Sequence, residues 1–260
     1  MRRRANAPGG TVGQGAPEPA TVALPGAADT SRANPQAAPV AAPDLAVVCD
    51  FDGTIAEQDV CLSLLETFAG DGWRQLEADY EQGRIDLPTC LVGQVATFAA
   101  PLDTLVAWAR QNARLRAGFP EFVAFCRQQS LPLLVVSAGL DFYIQAILER
   151  EGLQDLDVTC IATEAPAGRV QVRLPLAGYA DLGSLSDFKE VVVHQQQQQG
   201  RRVVFVGDGS TDFNAARSAD LVFARDKLLA HCRREGIPCT PFDTFADVQA
   251  PLAALRTLGR

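Results

Sequence analysis

Two aspartates, Asp50 and Asp52, stand one residue apart immediately after an apolar run, Leu45 to Cys49. Such a run is typical of a buried strand, where an unpaired carboxylate is strongly destabilising. We therefore expect both acids just beyond the C-terminal end of the strand, where open α/β sheets bind their ligands. Gly53 allows a sharp turn there, and Thr54 adds a hydroxyl group. By itself the segment leaves two interpretations open, a reactive carboxylate pair or an Asp-rich turn that caps a helix.

Two further apolar runs also end in polar residues. Leu133 to Val136 is followed by Ser137, Ala138 and Gly139, and Val203 to Val206 is followed by Asp208 and Asp212. Because the carboxyl ends of neighbouring parallel strands lie at one edge of a sheet, these side chains are expected to converge. Alone, the serine is more often a turn residue and the last aspartate more often a helix N-cap. Their joint occurrence at successive strand ends favours a site.

Carboxylates gathered at one edge need a counter-charge, since two of them about 4 Å apart repel by about 4 kcal/mol at an effective dielectric constant near 20. Mg²⁺ suits such a site because it binds oxygen ligands and keeps positions open for phosphate. Lys189 lies in the first turn of a helix that Ser186 or Asp187 is expected to cap. Its ammonium group either points into water or faces the acids and an incoming anion.

These residues are positioned by strands that alternate with helices, a pattern typical of a parallel sheet. The predicted fold class is α/β, a doubly wound (Rossmann-like) parallel sheet with an inserted helical cap. We place the α/β core at residues 44–57 and 117–260 and the cap at 58–116. Within the cap, Asp59, Asp86 and Asp103 are expected to cap helices. Residues 1–43 are predicted to be a disordered tail, because 24 of them are Ala, Pro or Gly and no apolar periodicity is present.

Composition limits the classes of function. The net charge of −8 argues against a nucleic-acid partner and against binding to anionic membranes, and no apolar stretch reaches the roughly 20 residues of a membrane helix. The seven cysteines include no C-x-x-C pair, which indicates reduced thiols and a cytoplasmic location. Arg2 to Arg4 precede no apolar run, so export is not expected, whereas a transit segment or an overextended start remains open.

The four segments Asp50 to Thr54, Val136 to Gly139, Lys189, and Gly207 to Asp212 together resemble the four motifs of the haloacid dehalogenase-like phosphatases, in the order and spacing of that family. The resemblance covers the chain from about Leu45 onward. It implies the same α/β fold, phosphomonoester hydrolysis through an aspartyl-phosphate intermediate, and Mg²⁺ as cofactor.

The resemblance also implies a role for each matching residue. Asp50 would be the nucleophile, and Asp52 would protonate the leaving group and later activate water. Phosphoryl oxygens would be held by Thr54, by Ser137 with Ala138 and Gly139, and by Lys189, which would neutralise their charge. The metal would be bound by Asp50, the carbonyl group of Asp52 and Asp208, with Asp212 orienting its waters.

The helical insertion resembles the cap of the phosphoserine-phosphatase-like branch, and the chain is most similar there to the phosphatases of methionine salvage. Ala219 to Leu229 and Phe242 to Val248 support the closer match. Asp59 falls where phosphoserine phosphatases bind the substrate amine, but Ile85 to Ala109 contains no Arg or Lys for a carboxylate. The resemblance thus implies a small phosphorylated metabolite, first the keto-enol phosphate of methionine salvage. Phosphoserine, another small phosphate ester, or a non-catalytic phosphate-binding role are the alternatives, and the oligomeric state is left open.

Overall fold

A computed structural model describes residues 44–173 and 188–258. The predicted N-terminal tail and the predicted helix caps Ser186 and Asp187 lie outside these described residues. The strands are β1 (Leu45–Cys49), β2 (Leu133–Leu140), β3 (Asp157–Ile161), β4 (Thr163–Glu164), β5 (Gln171–Val172), β6 (Arg202–Gly207), β7 (Leu221–Ala224) and β8 (Thr240–Pro241). The α-helices are α1 (Val60–Phe68), α2 (Trp73–Glu81), α3 (Leu87–Ala96), α4 (Leu102–Asn112), α5 (Phe119–Gln128), α6 (Asp141–Arg150), α7 (Phe188–Gln198), α8 (Phe213–Ser218), α9 (Asp226–Glu235) and α10 (Phe245–Leu258).

Six strands form one sheet in the order β3-β2-β1-β6-β7-β8, and every neighbouring pair is parallel. The predicted α/β class is therefore confirmed. All five residues of β1 are buried, because this strand lies inside the sheet between β2 and β6. Cys49 at its end is in register with Val135 of β2 and Val206 of β6. The ends of the three strands predicted to bear polar groups are thus neighbours.

The structure differs from the sequence expectations at three places. β2 does not end at Val136 but continues to Leu140, with a shift of register against β3 between these two residues. Asp103 does not cap α4, because Pro101 occupies the N-cap position and the aspartate lies in the first turn. The sequence analysis made no prediction for α10, and Pro251 inside it is a residue that normally breaks a helix.

Four helices, α1 to α4, follow β1 along the chain before the chain returns to the sheet. Asp59 caps α1 by accepting the N–H of Leu62, and Asp86 caps α3 by accepting the N–H of Thr89, both as predicted. The chain enters and leaves this helical unit at Ala56 and Leu115, which form an antiparallel bridge. That the unit works as a cap stays a prediction.

Among the helices of residues 44–173 and 188–258, none combines the length and the apolar composition that crossing a membrane requires.

Candidate active site

The carboxyl ends of the central strands bring three acids together. Asp50 follows β1, and its backbone N–H donates to the carbonyl oxygen of Val206 in β6 at 2.9 Å. Asp208 follows β6, and Asp212 lies one short turn further along the chain. Each of these aspartates offers one carboxylate oxygen, and the three oxygens lie within 4.8 Å of one another. Residues distant in sequence thus form one negatively charged cluster.

The ammonium group of Lys189 lies inside this cluster. Its Nζ is 2.7 Å from Oδ1 of Asp50, 2.6 Å from Oδ1 of Asp212 and 3.0 Å from the hydroxyl of Thr211. Only 1% of the lysine is exposed, so the interpretation that it points into water is wrong. Burial alone would lower the pKa of Lys189, but Asp212 and Asp50 outweigh it and hold the pKa above its ordinary value. The lysine is therefore a permanent cation.

One ammonium group does not balance three carboxylates. Burial, and then the charge of Asp212, raises the pKa of Asp50 to about 7. Burial, and then the charges of Asp50 and Asp212, raises the pKa of Asp208 to about 9. Both carboxyl groups would ionise readily only if further positive charge arrived, and a metal ion is the usual source of such charge in proteins.

The donor set fits Mg²⁺. Carboxylate oxygens are the ligands that this cation prefers, and a few of them with open positions are typical of its sites. Both oxygens of Asp212 are already occupied, one by Lys189 and the other by the N–H groups of Asp208 and Gly209 at 2.9 and 3.0 Å. Asp50 and Asp208 are therefore the residues that fit direct coordination, and Asp212 fits an orienting position beside them.

The turn after Asp50 is shaped around Asp208. Gly53 has a φ of +71°, and a methyl group added there would lie 2.3 Å from Oδ2 of Asp208. Any other residue would thus strain the backbone and collide with the carboxylate. The hydroxyl of Thr54 donates to Oδ1 of Asp208 at 3.0 Å, and Thr54 is fully buried. The structure therefore places this hydroxyl on a carboxylate, whereas the sequence analysis expected it on phosphoryl oxygens.

Asp52 stands apart from the three-acid cluster. Its Oδ1 accepts the N–H of Val60 at 2.9 Å, and its Oδ2 accepts the hydroxyl of Tyr143. Burial, followed by the charge of Asp59, raises the pKa of Asp52 well above its ordinary value. A carboxyl group that keeps its proton is suited to donate one. The sequence analysis expected Asp52 to bind the metal through its backbone carbonyl group. The hydrogen bonds of the side chain do not bear on that expectation.

The segment Ser137 to Gly139 lines the same cavity as Asp50, Asp52 and Asp208. Ser137 is 1% exposed, and its Oγ accepts the N–H of Gly139 at 3.0 Å. The sequence prediction that this strand end faces the acids agrees with its position.

A cavity of about 360 Å³ extends from these strand ends to the helical unit. The wall contributed by that unit is mostly apolar: it consists of Cys61, Leu62, Leu65, Tyr80, Leu87, Cys90 and Leu91, with the polar residues Asp59, Glu77 and Gln94. Asp59 thus lies in the cavity while it caps α1. Gln94, which is 4% exposed, donates its amide to Glu77 at 2.8 Å. The only described lysine that lines this cavity, Lys227, is paired with Glu81 at 2.9 Å.

Sequence reasoning missed two residues that hold the site in place, Tyr143 and Arg116. The guanidinium of Arg116 is 7% exposed and donates to the carbonyl oxygens of Thr54 at 2.7 Å and Gly53 at 2.6 Å. It thereby fixes the backbone that follows Asp50 and Asp52. No local pattern marks either residue, because both act on a segment that is distant in sequence.

Comparisons with known proteins agree with this geometry. Residues 47–217 match the family model described as haloacid dehalogenase-like hydrolase. The chain is 34% identical to the 2-hydroxy-3-keto-5-methylthiopentenyl-1-phosphate phosphatase of Geobacillus kaustophilus (strain HTA426) over 218 residues, which cover 78% of this chain and 93% of the relative. Identity to the protein of the same description from Geobacillus thermodenitrificans (strain NG80-2) is 33%, with coverage of 82% and 98%.

Among solved structures, the fold resembles a phospho-aspartyl intermediate analogue of phosphoserine phosphatase, with a TM-score of 0.59 and 17% identity over 79% of this chain and 97% of the other. A probable phosphoserine phosphatase from Vibrio cholerae has a TM-score of 0.62 and 21% identity, with coverage of 84% and 67%. At these identities the likeness concerns the fold alone.

Replacing Arg116 with Met tests its role in holding the turn. The change removes the guanidinium donor from one buried and one partly buried carbonyl oxygen, and loss of the partner of a buried acceptor costs about 1–3 kcal/mol. We expect the free energy of unfolding of R116M, measured by urea denaturation, to fall accordingly. R110M is the matched control, because Arg110 is about half exposed and pairs with Glu149 at the surface, where ion pairs contribute about 0–1 kcal/mol. Equal stabilities of the two variants would contradict this assignment.

The pH dependence of stability tests the metal site. The pKa values of Asp50 and Asp208 are raised in the folded protein. Their carboxyl groups therefore keep protons at pH values at which the same groups in the unfolded chain have lost them. Without metal, these two groups should therefore lower stability as the pH rises above about 4, with the effect of Asp50 ending near pH 7 and that of Asp208 near pH 9. Mg²⁺ competes with those protons, so the rise in Tm that it causes should grow over the same interval.

The measurement is Tm with Mg²⁺ and with EDTA across that pH range. D208N, which removes one of the two protonated carboxyl groups, should show a smaller Mg²⁺ effect and a smaller dependence on pH. A Mg²⁺ effect that is constant with pH, or absent, would argue against a metal at these carboxylates.

Proposed function

The chain belongs to the haloacid dehalogenase-like hydrolase family and is a phosphatase, and from this premise we propose that it hydrolyses 2-hydroxy-3-keto-5-methylthiopentenyl-1-phosphate with Mg²⁺ and an aspartyl-phosphate intermediate. The observation that supports this most directly is the position of Asp50. It is 5% exposed, it lines the cavity, it is paired with a buried ammonium group, and it lies close to two further carboxylates. Such a carboxylate is shielded from bulk water and lies where a ligand in the cavity could meet it.

In the first step, a carboxylate oxygen of Asp50 attacks phosphorus and forms a new P–O bond. The bond to the substrate oxygen breaks, its electron pair stays on that oxygen, and Asp52 supplies the proton that turns it into a hydroxyl group. Burial raises the pKa of Asp52, which suits it to donate a proton, and two hydrogen bonds hold its carboxyl group in place. Lys189 offsets negative charge close to the nucleophile.

In the second step, Asp52, now a carboxylate, accepts a proton from water as the water attacks phosphorus. The bond between phosphorus and Asp50 breaks, inorganic phosphate leaves, and both side chains return to their starting states. The Ser137 to Gly139 segment lines the cavity, and we assign its hydroxyl and backbone N–H groups to the phosphoryl oxygens, although the N–H of Gly139 donates to Ser137 in this structure. We assign Thr54 to the support of Asp208 in this scheme, because its hydroxyl donates to that carboxylate.

Mg²⁺, when bound, would neutralise charge on the phosphoryl group and help to orient it for in-line displacement. Asp50 and Asp208 would hold the ion directly together with the carbonyl group of Asp52, and Asp212 would orient its waters. Lys189 and the N–H groups that hold Asp212 keep these carboxylates in place before a ligand arrives.

The helical unit, residues 58–116, is proposed to act as a cap that selects the substrate. Its side of the cavity is lined mainly by leucines and cysteines, which suit the apolar methylthio end of the keto-enol phosphate. Asp59 and Glu77 are both acidic, so a substrate carboxylate would be repelled at this wall. Phosphoserine remains the second candidate because Asp59, which lines the cavity, could accept its amine.

Replacing the nucleophile distinguishes an enzyme from a phosphate-binding protein. D50N should lower kcat for p-nitrophenyl phosphate with Mg²⁺ by about a thousandfold or more, since the intermediate can no longer form. D44N is the matched control: it makes the same chemical change at an exposed residue just before the same strand and should keep activity. Turnover by D50N that equals that of D44N would remove the nucleophile assignment, and wild-type turnover that is unaffected by EDTA would remove the metal.

A pair of cap variants tests the substrate assignment. Leu62 and Val92 are equally exposed, at 36% and 37%, but only Leu62 lines the cavity. L62S should raise KM for the methylthio keto-enol phosphate by about tenfold, because an apolar contact is lost, whereas V92S should leave KM unchanged. Wild-type protein should also prefer this substrate to phosphoserine in kcat/KM. Equal kcat/KM values for both compounds would favour the second candidate.

A further inference from the structure

The carboxyl group of Asp52 is anchored at both oxygens by two different parts of the chain. The N–H of Val60, in the first turn of α1, donates to Oδ1, and the hydroxyl of Tyr143, in the first turn of α6, donates to Oδ2. We infer that Tyr143 is a positioning residue that sets the orientation of Asp52 for proton transfer to the leaving group. The inference rests on the acid–base role proposed for Asp52.

The ring of Tyr143 is held rigidly. The residue is fully buried, and its ring packs against Phe51, with centroids 6.5 Å apart, and edge-on against Phe142, with centroids 5.5 Å apart. The position of the phenol hydroxyl is constrained by this packing. The hydroxyl therefore favours one position of the Asp52 oxygen, whereas a donor on a flexible side chain would allow several.

The chain also leaves room for this contact at Gly139. A methyl group added to Gly139 would lie 2.0 Å from the hydroxyl oxygen of Tyr143 and 2.4 Å from Oδ2 of Asp52. The φ of this glycine is not positive, so no unusual backbone conformation requires it. The lack of a side chain at this position therefore makes space for the tyrosine and the aspartate to meet.

Anchoring at both oxygens matters because the terminal torsion of an aspartate is broad and roughly two-fold. With one donor removed, the carboxyl group can rotate about the bond to Cβ and populate orientations that do not face the leaving oxygen. Misplacement of a reacting group by about 1 Å can cost about a hundredfold in rate. Tyr143 itself does not line the cavity, so it acts through Asp52 and not on the substrate.

Y143F tests this role with two leaving groups. The value of kcat/KM reports the steps up to release of the alcohol, and an alkoxide needs a proton from Asp52 whereas p-nitrophenolate leaves without one. We expect Y143F to lower kcat/KM for an alkyl phosphate such as phosphoserine, whose leaving group is an alkoxide, by about tenfold or more, with a much smaller loss for p-nitrophenyl phosphate. A purely structural role for the hydroxyl would lower both values equally.

Two further variants separate the possible failures. D52N removes the proton donor and should lower kcat/KM for the alkyl phosphate by about 10²–10⁴-fold, again with a smaller loss for the aryl phosphate. T163V removes another buried hydroxyl that donates to an aspartate, in this case Asp141, and should not change the ratio between the two substrates, because Thr163 does not line the cavity.

Selective loss in both D52N and Y143F supports the inference. Selective loss in D52N with equal loss in Y143F overturns it while the proposed chemistry stands. Equal loss in D52N refutes the acid role itself, and the inference fails with it. If Y143F does not fold, Y143M replaces it, because methionine fills a similar apolar space and donates no hydrogen bond.

Discussion

Three aspartates share one small volume in this protein, and a single buried ammonium group holds them together. At an effective dielectric constant near 20, each pair of like charges about 4 Å apart costs about 4 kcal/mol. Lys189 offsets part of this repulsion through contacts of 2.6 and 2.7 Å to Asp212 and Asp50. Burial, and then the repulsion that Lys189 does not offset, raises the pKa values of Asp50 and Asp208. The site is therefore poised to bind a further cation and an anionic ligand.

Two features of the surrounding structure hold the turn after β1 in place beside this cluster. The turn after β1 needs a glycine with positive φ at position 53, so that the backbone clears Asp208. The buried guanidinium of Arg116 donates hydrogen bonds to the carbonyl oxygens of that turn. These bonds compensate for the unfavourable removal of a charge from water. Glycine and arginine thus both act on the same short segment, which carries Asp50 and Asp52.

The sheet and the helical unit contribute different parts of the site. Under the proposed function, the sheet supplies the reacting groups and the helical unit supplies the contacts that select the substrate. The strand ends supply the charged groups, and their positions follow from the parallel register of β2, β1 and β6. The helices between β1 and β2 supply a wall that is mainly apolar. Under the proposed function, changes in that wall would alter the fit of the substrate without touching Asp50, Asp208 or Asp212. This separation is the physical basis for testing the two parts with different variants.

The sequence by itself determined the class of the fold, the strands that matter and the acids at their ends. It could do so because apolar runs, alternation with helices and polar residues at strand ends are local patterns. Only the tertiary structure decided that Lys189 is buried, that the Thr54 hydroxyl serves Asp208, and that Tyr143 and Arg116 support the site. These are contacts between segments far apart in the chain, and they depend on how whole elements pack. No local pattern encodes the partner of a buried polar side chain, so its role becomes visible only when both partners have coordinates.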